Sequence, residues 1–375
     1  MSKLKQPDIA FIVPNLAGFG GAERVMIDIA SKIAEKGYSV DFVALKTPQN
    51  KDFDIHAHTN IMHKNINFVD FKSKRMRHSV FKLFNYMRKD KPKTIFSIIN
   101  TANFLCCLYN VILGKPCKVF ISEATTPSGA KKTYNSFAYK YIVPLFSKVL
   151  YPLADGIHAP SNGVKFDLEN TFGIKNVTTI VNPIPSYSDE KSKLSTGHIW
   201  LENKETPVVI SGGRLAKVKD FPTLIKAFSK VLKTLDAKLI IMGDGIERPN
   251  LETLIKDLQI ENKIDLMGYT ENPFAFMDKA DVFVLSSLHE GMPNMLVQAL
   301  GCGCPSVATN CPSGPSELII DGKNGFLTPV GDTDKMAENI IKTINANFSK
   351  EQVKLTIAHH NINNIADQYL KLMGF

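Results

Sequence analysis

The chain has 375 residues, with 45 Lys+Arg against 36 Asp+Glu for a formal net charge of +9, 44% hydrophobic residues and 22% charged ones. At roughly 100–200 residues per domain, that length makes about two domains, each long enough to bury its own core. The composition excludes a disordered, fibrous or disulfide-stapled chain. In chain order, residues 8–14, 39–45, 94–99, 117–121 and 177–181 read as strands. Among them a helix is predicted at 22–36, where Val25, Ile29 and Ile33 recur every four residues, and another at 79–89, where Val80, Leu83, Phe84 and Met87 share a face. A polar stretch at 186–206 follows, and the rhythm then restarts. Strands at 207–211, 237–242, 263–267, 281–285 and 305–308 alternate with helices near 221–235, 249–258 and 294–300.

Near-continuous apolar strands suit a parallel sheet covered by helices on both faces. The alternation across two half-chains predicts an α/β protein of two doubly wound, Rossmann-like domains facing a cleft. The first is expected at 1–185, the second at 186–350, and a helical segment at 351–375 is free to return to the first. The break follows Asn182-Pro183-Ile184-Pro185, where two prolines stiffen the chain.

No apolar run reaches the ~18–20 residues of a membrane-spanning helix. The longest, 104–113 and 142–154, are short, and Pro144 and Lys148 interrupt the second. Lys3 and Lys5 precede only a five-residue apolar run that stops at Pro14, which is not a signal-peptide pattern. The expected location is the cytoplasm, with a peripheral position on the inner face of the cytoplasmic membrane left open. Cys302, Cys304 and Cys311 form a C-x-C-x6-C run without the paired spacing of metal sites. Cys106, Cys107 and Cys117 lie in apolar surroundings, so buried thiols are expected and no metal.

Charge is uneven: residues 1–187 carry 25 Lys+Arg against 13 Asp+Glu, leaving 20 against 23 in the remainder. Nine of those cations and a single acid, Asp90, fall in Lys72–Lys93, with Phe81, Phe84 and Tyr86 among them. Such a stretch either rests on anionic lipid head groups or is a domain helix with a solvated basic face. A weaker candidate for the same contact is 133–150, where Tyr134, Phe137, Tyr139 and Tyr141 accompany Lys140 and Lys148. No nucleic-acid module accompanies the charge. His56, His58, His63 and His78 lack metal spacing and read as surface residues, whereas His158 reads as packed.

In open α/β sheets, ligands sit beyond the carboxyl ends of the strands. After the first strand, Gly18-Phe19-Gly20-Gly21 opens a helix and is either a phosphate-approaching loop or a tight turn. Glu23 occupies the third glycine position of the dinucleotide fingerprint, which is therefore absent. In the second half, Gly212 and Gly213 precede Arg214 and Lys219, a planar fork and a point charge suited to phosphate oxygens. Glu290-Gly291-Met292-Pro293-Asn294 leads into a helix carrying Gln298, a carboxylate and an amide that both accept from sugar hydroxyls. Gly243-Asp244-Gly245 and Gly268-Tyr269-Thr270 follow strands as nucleobase-facing backbone or as plain turns.

In order and spacing, Gly20-Gly21-Ala22-Glu23-Arg24-Val25, Gly213-Arg214-Leu215 with Lys219, and Glu290-Gly291-Met292-Pro293-Asn294 resemble retaining nucleotide-sugar glycosyltransferases of the family 4 type. These have the two-domain GT-B architecture. Asn310-Cys311-Pro312-Ser313-Gly314-Pro315-Ser316-Glu317 and Gly322-Lys323-Asn324-Gly325-Phe326 resemble the branch that builds bacterial surface polysaccharides and lipid-linked oligosaccharides. The resemblance implies a UDP-sugar donor, a glycan or polyprenyl-diphosphate-linked acceptor, an α-linked product and no metal. It also implies that Arg214 and Lys219 neutralise the diphosphate and that Glu290 binds the transferred sugar. Gly291, Met292, Pro293 and Asn294 then meet sugar and phosphate, and Gln298 takes the ribose hydroxyls. Gly20 and Gly21 lie against donor phosphate and acceptor.

Two departures stand out. Gln298 replaces the second glutamate of the family's usual pair, which removes a charge. Ala124 stands where many relatives have a histidine, leaving Glu123, Thr125 and Thr126 as acceptor-side candidates. Competing readings are a catalytically silent nucleotide-sugar-binding scaffold of the same fold and a sugar-nucleotide epimerase.

Overall fold

The computed structural model describes residues 6–16, 20–47, 62–73, 76–133, 137–186 and 188–375, excepting the side chains of 76–77 and 132–133. Lys3, Lys5, Gly18, Phe19, His56, His58, Lys74, Arg75 and Tyr134, named above, lie outside the described residues. The chain divides into two compact units, Met1–Pro183 with Asn361–Phe375, and Ile184–His360. The division therefore falls before Ile184, and the C-terminal segment divides at Asn361 and not at 351.

The first unit is built on a seven-stranded sheet, β1 (Ile9–Val13), β2 (Val40–Ala44), β3 (Ile66–Asp70), β4 (Thr94–Ile98), β5 (Lys118–Ser122), β6 (Gly156–Ala159) and β7 (Val177–Thr179). Its order is β3-β2-β1-β4-β5-β6-β7, all parallel, with Ile9 opposite Val40 on one side and Thr94 on the other. Strand alternation sorts the core. Ile9, Phe11 and Val13 join one layer, while Ala10 and Ile12 join the other. The first layer is covered by α1 (Gly21–Glu35), whose Val25, Ile29 and Ile33 point inward. The second is covered by α2 (Met76–Lys89), α3 (Asn100–Ile112) and α4 (Val143–Leu150).

The second unit repeats the plan with β8 (Val208–Gly212), β9 (Lys238–Met242), β10 (Ile264–Gly268), β11 (Val282–Leu285), β12 (Ser306–Thr309) and β13 (Gly325–Thr328), in the order β10-β9-β8-β11-β12-β13. On one face α5 (Phe221–Val231), α6 (Arg248–Asp257) and α8 (Thr333–Asn345) bury Leu224, Phe228, Leu251 and Met336 against Val209, Leu239, Val282 and Val307. Between α6 and α8 in sequence, α7 (Asn294–Gly301) packs on α9 (Lys350–Thr356). Capping fixes several helix starts: Asp332 accepts from Lys335 N at 2.9 Å, and Pro222 sits in the first turn of α5, where its missing N–H costs nothing. The final helix, α10 (Ile362–Met373), belongs to the first unit, where it lies beside α1 and buries Ile365, Tyr369 and Met373.

Strands β3 and β13 and helices α3, α4 and α8 are absent from the sequence reading. Its two longest apolar runs, 104–113 and 142–154, fold into α3 and α4 with the residues around them.

Candidate functional site

The order of each sheet reverses direction at its first-formed strand, which opens a crevice at the carboxyl ends of β8 and β11 in the second unit. The loops leaving those two strands carry the predicted cations and carboxylate. After β8, Gly213 adopts φ 140° and its backbone N–H donates to Met242 O at 2.9 Å. A Cβ on Gly243 would stand 2.1 Å from Gly213 O, and one on Gly245 2.3 Å from Leu215 O. Gly243 N in turn donates to Gly268 O at 2.6 Å. Glycines are therefore required where these three loops touch backbone to backbone. The result is a close-packed floor from Gly213 to Gly268, with the ring of Tyr269 beside it, 66% exposed.

Lys219 folds back over this floor, its Cε 3.4 Å from the Cβ position of Gly213. Its ammonium reaches Glu290 Oε1 at 2.5 Å across 71 residues of sequence. Ser287 Oγ donates to the same Oε1 at 2.6 Å, so Oε1 is doubly occupied and Oε2 has no hydrogen-bond partner among the described residues. The pair is held from below. Ser286 Oγ donates to Lys219 O at 2.7 Å, Leu288 N to Val218 O at 2.8 Å, and Thr309 Oγ1 to Ser287 O at 2.6 Å. Gly291, Met292 and Pro293 are buried at the entry to α7. Ser313 Oγ donates to Gly291 O at 2.8 Å, and Gly314, at φ 94°, has Pro293 Cδ 2.5 Å from where a Cβ would be. The stretch from Asn310 to Glu317 thus braces the loop after Glu290.

Asn294 and Gln298 lie one helical turn apart on α7, both half-buried. Arg214 is exposed on the loop after β8, and no contact brings it to the Lys219–Glu290 pair. Ser286, Ser287 and Thr309 were not foreseen. Their trace in the sequence is a pair of serines at the end of an apolar strand, Leu285-Ser286-Ser287, where an inward hydroxyl needs a partner. Cys302, Cys304 and Cys311 are buried free thiols, and burial pushes Cys302 and Cys311 up to about 12.

The first unit treats its carboxylate differently. Glu123, at the end of β5, was expected to face an acceptor, but the structure turns it inward, 3% exposed. Tyr151 Oη and Asn100 Nδ2, the latter at 3.0 Å, both donate to its Oε1, and Asn103 joins Ser97 Oγ (2.8 Å) to Ser122 O (2.9 Å). Burial raises the Glu123 carboxyl to about 7, although the Tyr151 hydrogen bond works against the shift. Ile99, a β-branched residue held at φ 68°, turns the chain from β4 into α3 and so delivers Asn100 to this cluster.

On the opposite face of the strand, Ser122 Oγ lies 2.8 Å from His158 Nδ1, and His158 Nε2 lies 2.8 Å from Ile180 O. With Tyr369 Oη 3.2 Å away, that imidazole is wholly packed, and desolvation lowers it to about 4. Thr125 is half-buried; Thr126 is buried, and its carbonyl accepts from Ala130 N at 2.9 Å to start the Pro127–Thr133 helix. Gly20 precedes α1, with Gly21 its first residue. Glu23 folds back so that its Oε2 stands 2.5 Å from where a Gly20 Cβ would be. A carboxylate thus already faces this helix end, where the sequence reading had placed a phosphate.

Comparisons with known proteins agree with this geometry. Residues 197–359 match the family model "Glycosyl transferases group 1", and 19–186 match "Glycosyltransferase Family 4". A Campylobacter jejuni N-acetylgalactosamine-N,N'-diacetylbacillosaminyl-diphospho-undecaprenol 4-alpha-N-acetylgalactosaminyltransferase is 34% identical over 251 residues, 66% of each chain. That match spans just under two thirds of the relative's length. A second protein of that organism, named as a GalNAc-alpha-(1->4)-GalNAc-alpha-(1->3)-diNAcBac-PP-undecaprenol alpha-1,4-N-acetyl-D-galactosaminyltransferase, is 28% identical over 98% of both chains. Among solved structures, Anabaena Alr3699/HepE in complex with UDP and glucose superposes with a TM-score of 0.78 at 18% identity, covering 97% of this chain and 98% of that one. The chain belongs to the family 4 glycosyltransferases and has their GT-B fold.

Proposed function

We propose that this chain moves a hexose or N-acetylhexosamine from a UDP-sugar to a glycan carried on a polyprenyl diphosphate. In this reading the donor's α configuration is retained, and the product belongs to a bacterial surface polysaccharide such as lipopolysaccharide or O antigen. The observation that carries the reading is the meeting of Lys219 and Glu290 at 2.5 Å, above a glycine floor at the strand ends. Both named Campylobacter relatives transfer N-acetylgalactosamine to undecaprenol-linked acceptors, which supports the acceptor class and favours an N-acetylhexosamine donor. The UDP in the Anabaena structure supports the nucleotide.

The arrangement suits sugar transfer chemically. Breaking the bond between the anomeric carbon and the diphosphate leaves negative charge on UDP and positive character on the sugar. A lysine has three N–H donors, so Lys219 can keep Glu290 and still offer protons to phosphate oxygens. Arg214 adds a planar fork from the neighbouring turn. Oε2 of Glu290 is left for a sugar hydroxyl, and Gln298 supplies a neutral amide for the ribose. Cations already positioned where charge develops stabilise the leaving group without reorganising at the moment of reaction. The acceptor hydroxyl attacks from the face that UDP leaves, and the departing phosphate oxygen takes its proton. Thr125 is the acceptor-side residue with an accessible side chain, whereas Glu123 acts from beneath it.

The test begins with a panel of UDP-sugars. A true donor at ~100 times its dissociation constant stabilises the protein by about 2.7 kcal/mol. The best binder is then incubated with acceptor extracted from membranes, and the product is analysed for anomeric configuration. A β-linked product overturns retention. Conversion of the UDP-sugar without acceptor marks an epimerase, and binding without turnover marks a silent scaffold.

A further inference from the structure

Helix α4 and the outer side of α3 expose an apolar surface that no part of the sugar-transfer reading uses. Of the eight residues of α4, only Ser147 and Leu150 are buried. Leu145 (60% exposed) and Val149 (59%) face outward from it, and Tyr141 and Ile142 continue the surface through the π-helical turn Ala138–Ile142. Leu108 and Ile112 (59%) do the same on α3, which packs against α4 through Phe104 and Phe146 with ring centroids 5.7 Å apart. Large side chains at helical spacing on two adjoining helices make one patch, not scattered singles.

The charge around the patch has one sign. Lys115, Lys140 and Lys148 are exposed along it, and no Asp or Glu occurs in 101–122 or 137–154. Helix α2 flanks the patch by packing on α3 through Phe84 and Tyr109, ring centroids 5.3 Å apart. It buries Leu83, Tyr86 and Met87 and turns Lys82, Arg88 and Lys89 outward. A second copy of this chain is a poor occupant, because pairing the patch with itself would bring lysine against lysine with no carboxylate between. An anionic bilayer surface supplies both missing parts, an acyl boundary for the apolar groups and phosphates for the lysines. Among the described residues no helix is long and apolar enough to cross a membrane, so the contact lies in the interface plane.

We propose that α4 and the outer face of α3 rest in the headgroup layer of an anionic membrane, with the cations of α2 as its border. The basic stretch Lys72–Lys93 then steers the protein to the surface, and the apolar helix pair holds it there. The inference is independent of the donor chemistry.

The test is co-sedimentation of the full chain with phosphatidylcholine vesicles, with and without about one third phosphatidylglycerol. The parent chain is expected to bind the anionic vesicles, less so as salt rises. The Leu145→Glu/Val149→Glu variant is expected to lower the partition coefficient at least tenfold, and Lys140→Gln and Lys148→Gln about fivefold each. Unchanged thermal melts, and unchanged stabilisation by UDP-sugar, show that the variants remain folded and the donor site intact. Should the glutamate pair disturb folding, Leu145→Ala/Val149→Ala gives the same reading with a smaller loss. Three results overturn the proposal: no binding of the parent chain to anionic vesicles, variants that bind as tightly as the parent, or a parent that self-associates through this face without binding lipid.

Discussion

Two glutamates follow strands in two sheets of the same winding, and their surroundings differ in kind. Glu290 is 12% exposed in its side chain and shares one oxygen between an ammonium and a hydroxyl. Glu123 is sealed under α3 among Asn100, Asn103 and Tyr151, with no cation beside it, and burial lifts its pKa to about 7. The first carboxylate keeps its charge where a ligand can reach it. The second is a structural polar centre whose charge is costly. One fold can therefore place a carboxylate at the end of a strand for opposite purposes, and the difference lies in the partner, not the position.

The largest expected effect comes from breaking the exposed pair. Glu290→Ala or Lys219→Ala should reduce kcat by roughly 10²–10³-fold, as loss of a charge-stabilising group typically does, while the melting temperature stays close to that of the parent. Glu123→Ala should do the reverse in kind, leaving Tyr151 and Asn100 without their acceptor and costing about 1–3 kcal/mol in denaturant unfolding. Glu123→Gln keeps the shape and sharpens the contrast through pH. Because the folded carboxyl titrates near 7 and the unfolded one near 4.5, the folded state holds the proton longer. Wild-type stability should therefore fall as pH rises through that interval, and the glutamine variant should not share the loss.

His158 opposes this, being lowered from 6.5 to about 4, so its contribution is lost as pH falls through that window. In Glu123→Gln the acid-side loss should stand alone in a series of melts from pH 7 to pH 4. The smallest effect is expected at Gln298→Glu. A charged acceptor strengthens a hydrogen bond by about 1 kcal/mol over a neutral one, so UDP should bind roughly fivefold tighter in calorimetry.

Much of the second unit was legible. Its glycines must stand where backbones touch, and Gly213, Gly243 and Gly268 mark those places in the sequence. The cation and the carboxylate lie in the loops beside them. What could not be read is their mutual contact, which depends on two strands adjacent in space and far apart in sequence. Helices α3 and α4 were missed for a physical reason. A helix is recognised by the contrast between its faces, and here Leu108, Ile112, Leu145 and Val149 make the outer faces as apolar as the inner ones. Strand β3 was missed because, at the sheet edge, its residues are mostly half-buried, and Asn67 and Asp70 dilute the apolar run. Glu123 was recognised as special, but its burial depends on Tyr151, 28 residues further along.

Helix α10 carries a consequence for how the protein is made. Its Tyr369 sits against Phe96 and His158 in the first unit, with the Phe96 ring centroid 5.1 Å away. During synthesis the amino-terminal unit thus leaves the ribosome with one flank of its interior uncovered, and it stays so until nearly the whole polypeptide has emerged. The second unit must form in the meantime, between two parts of the first. Completion of the earliest fold therefore waits on the last residues translated, and a chaperone that shields Phe96 and Phe120 would serve as a stand-in for a helix not yet born.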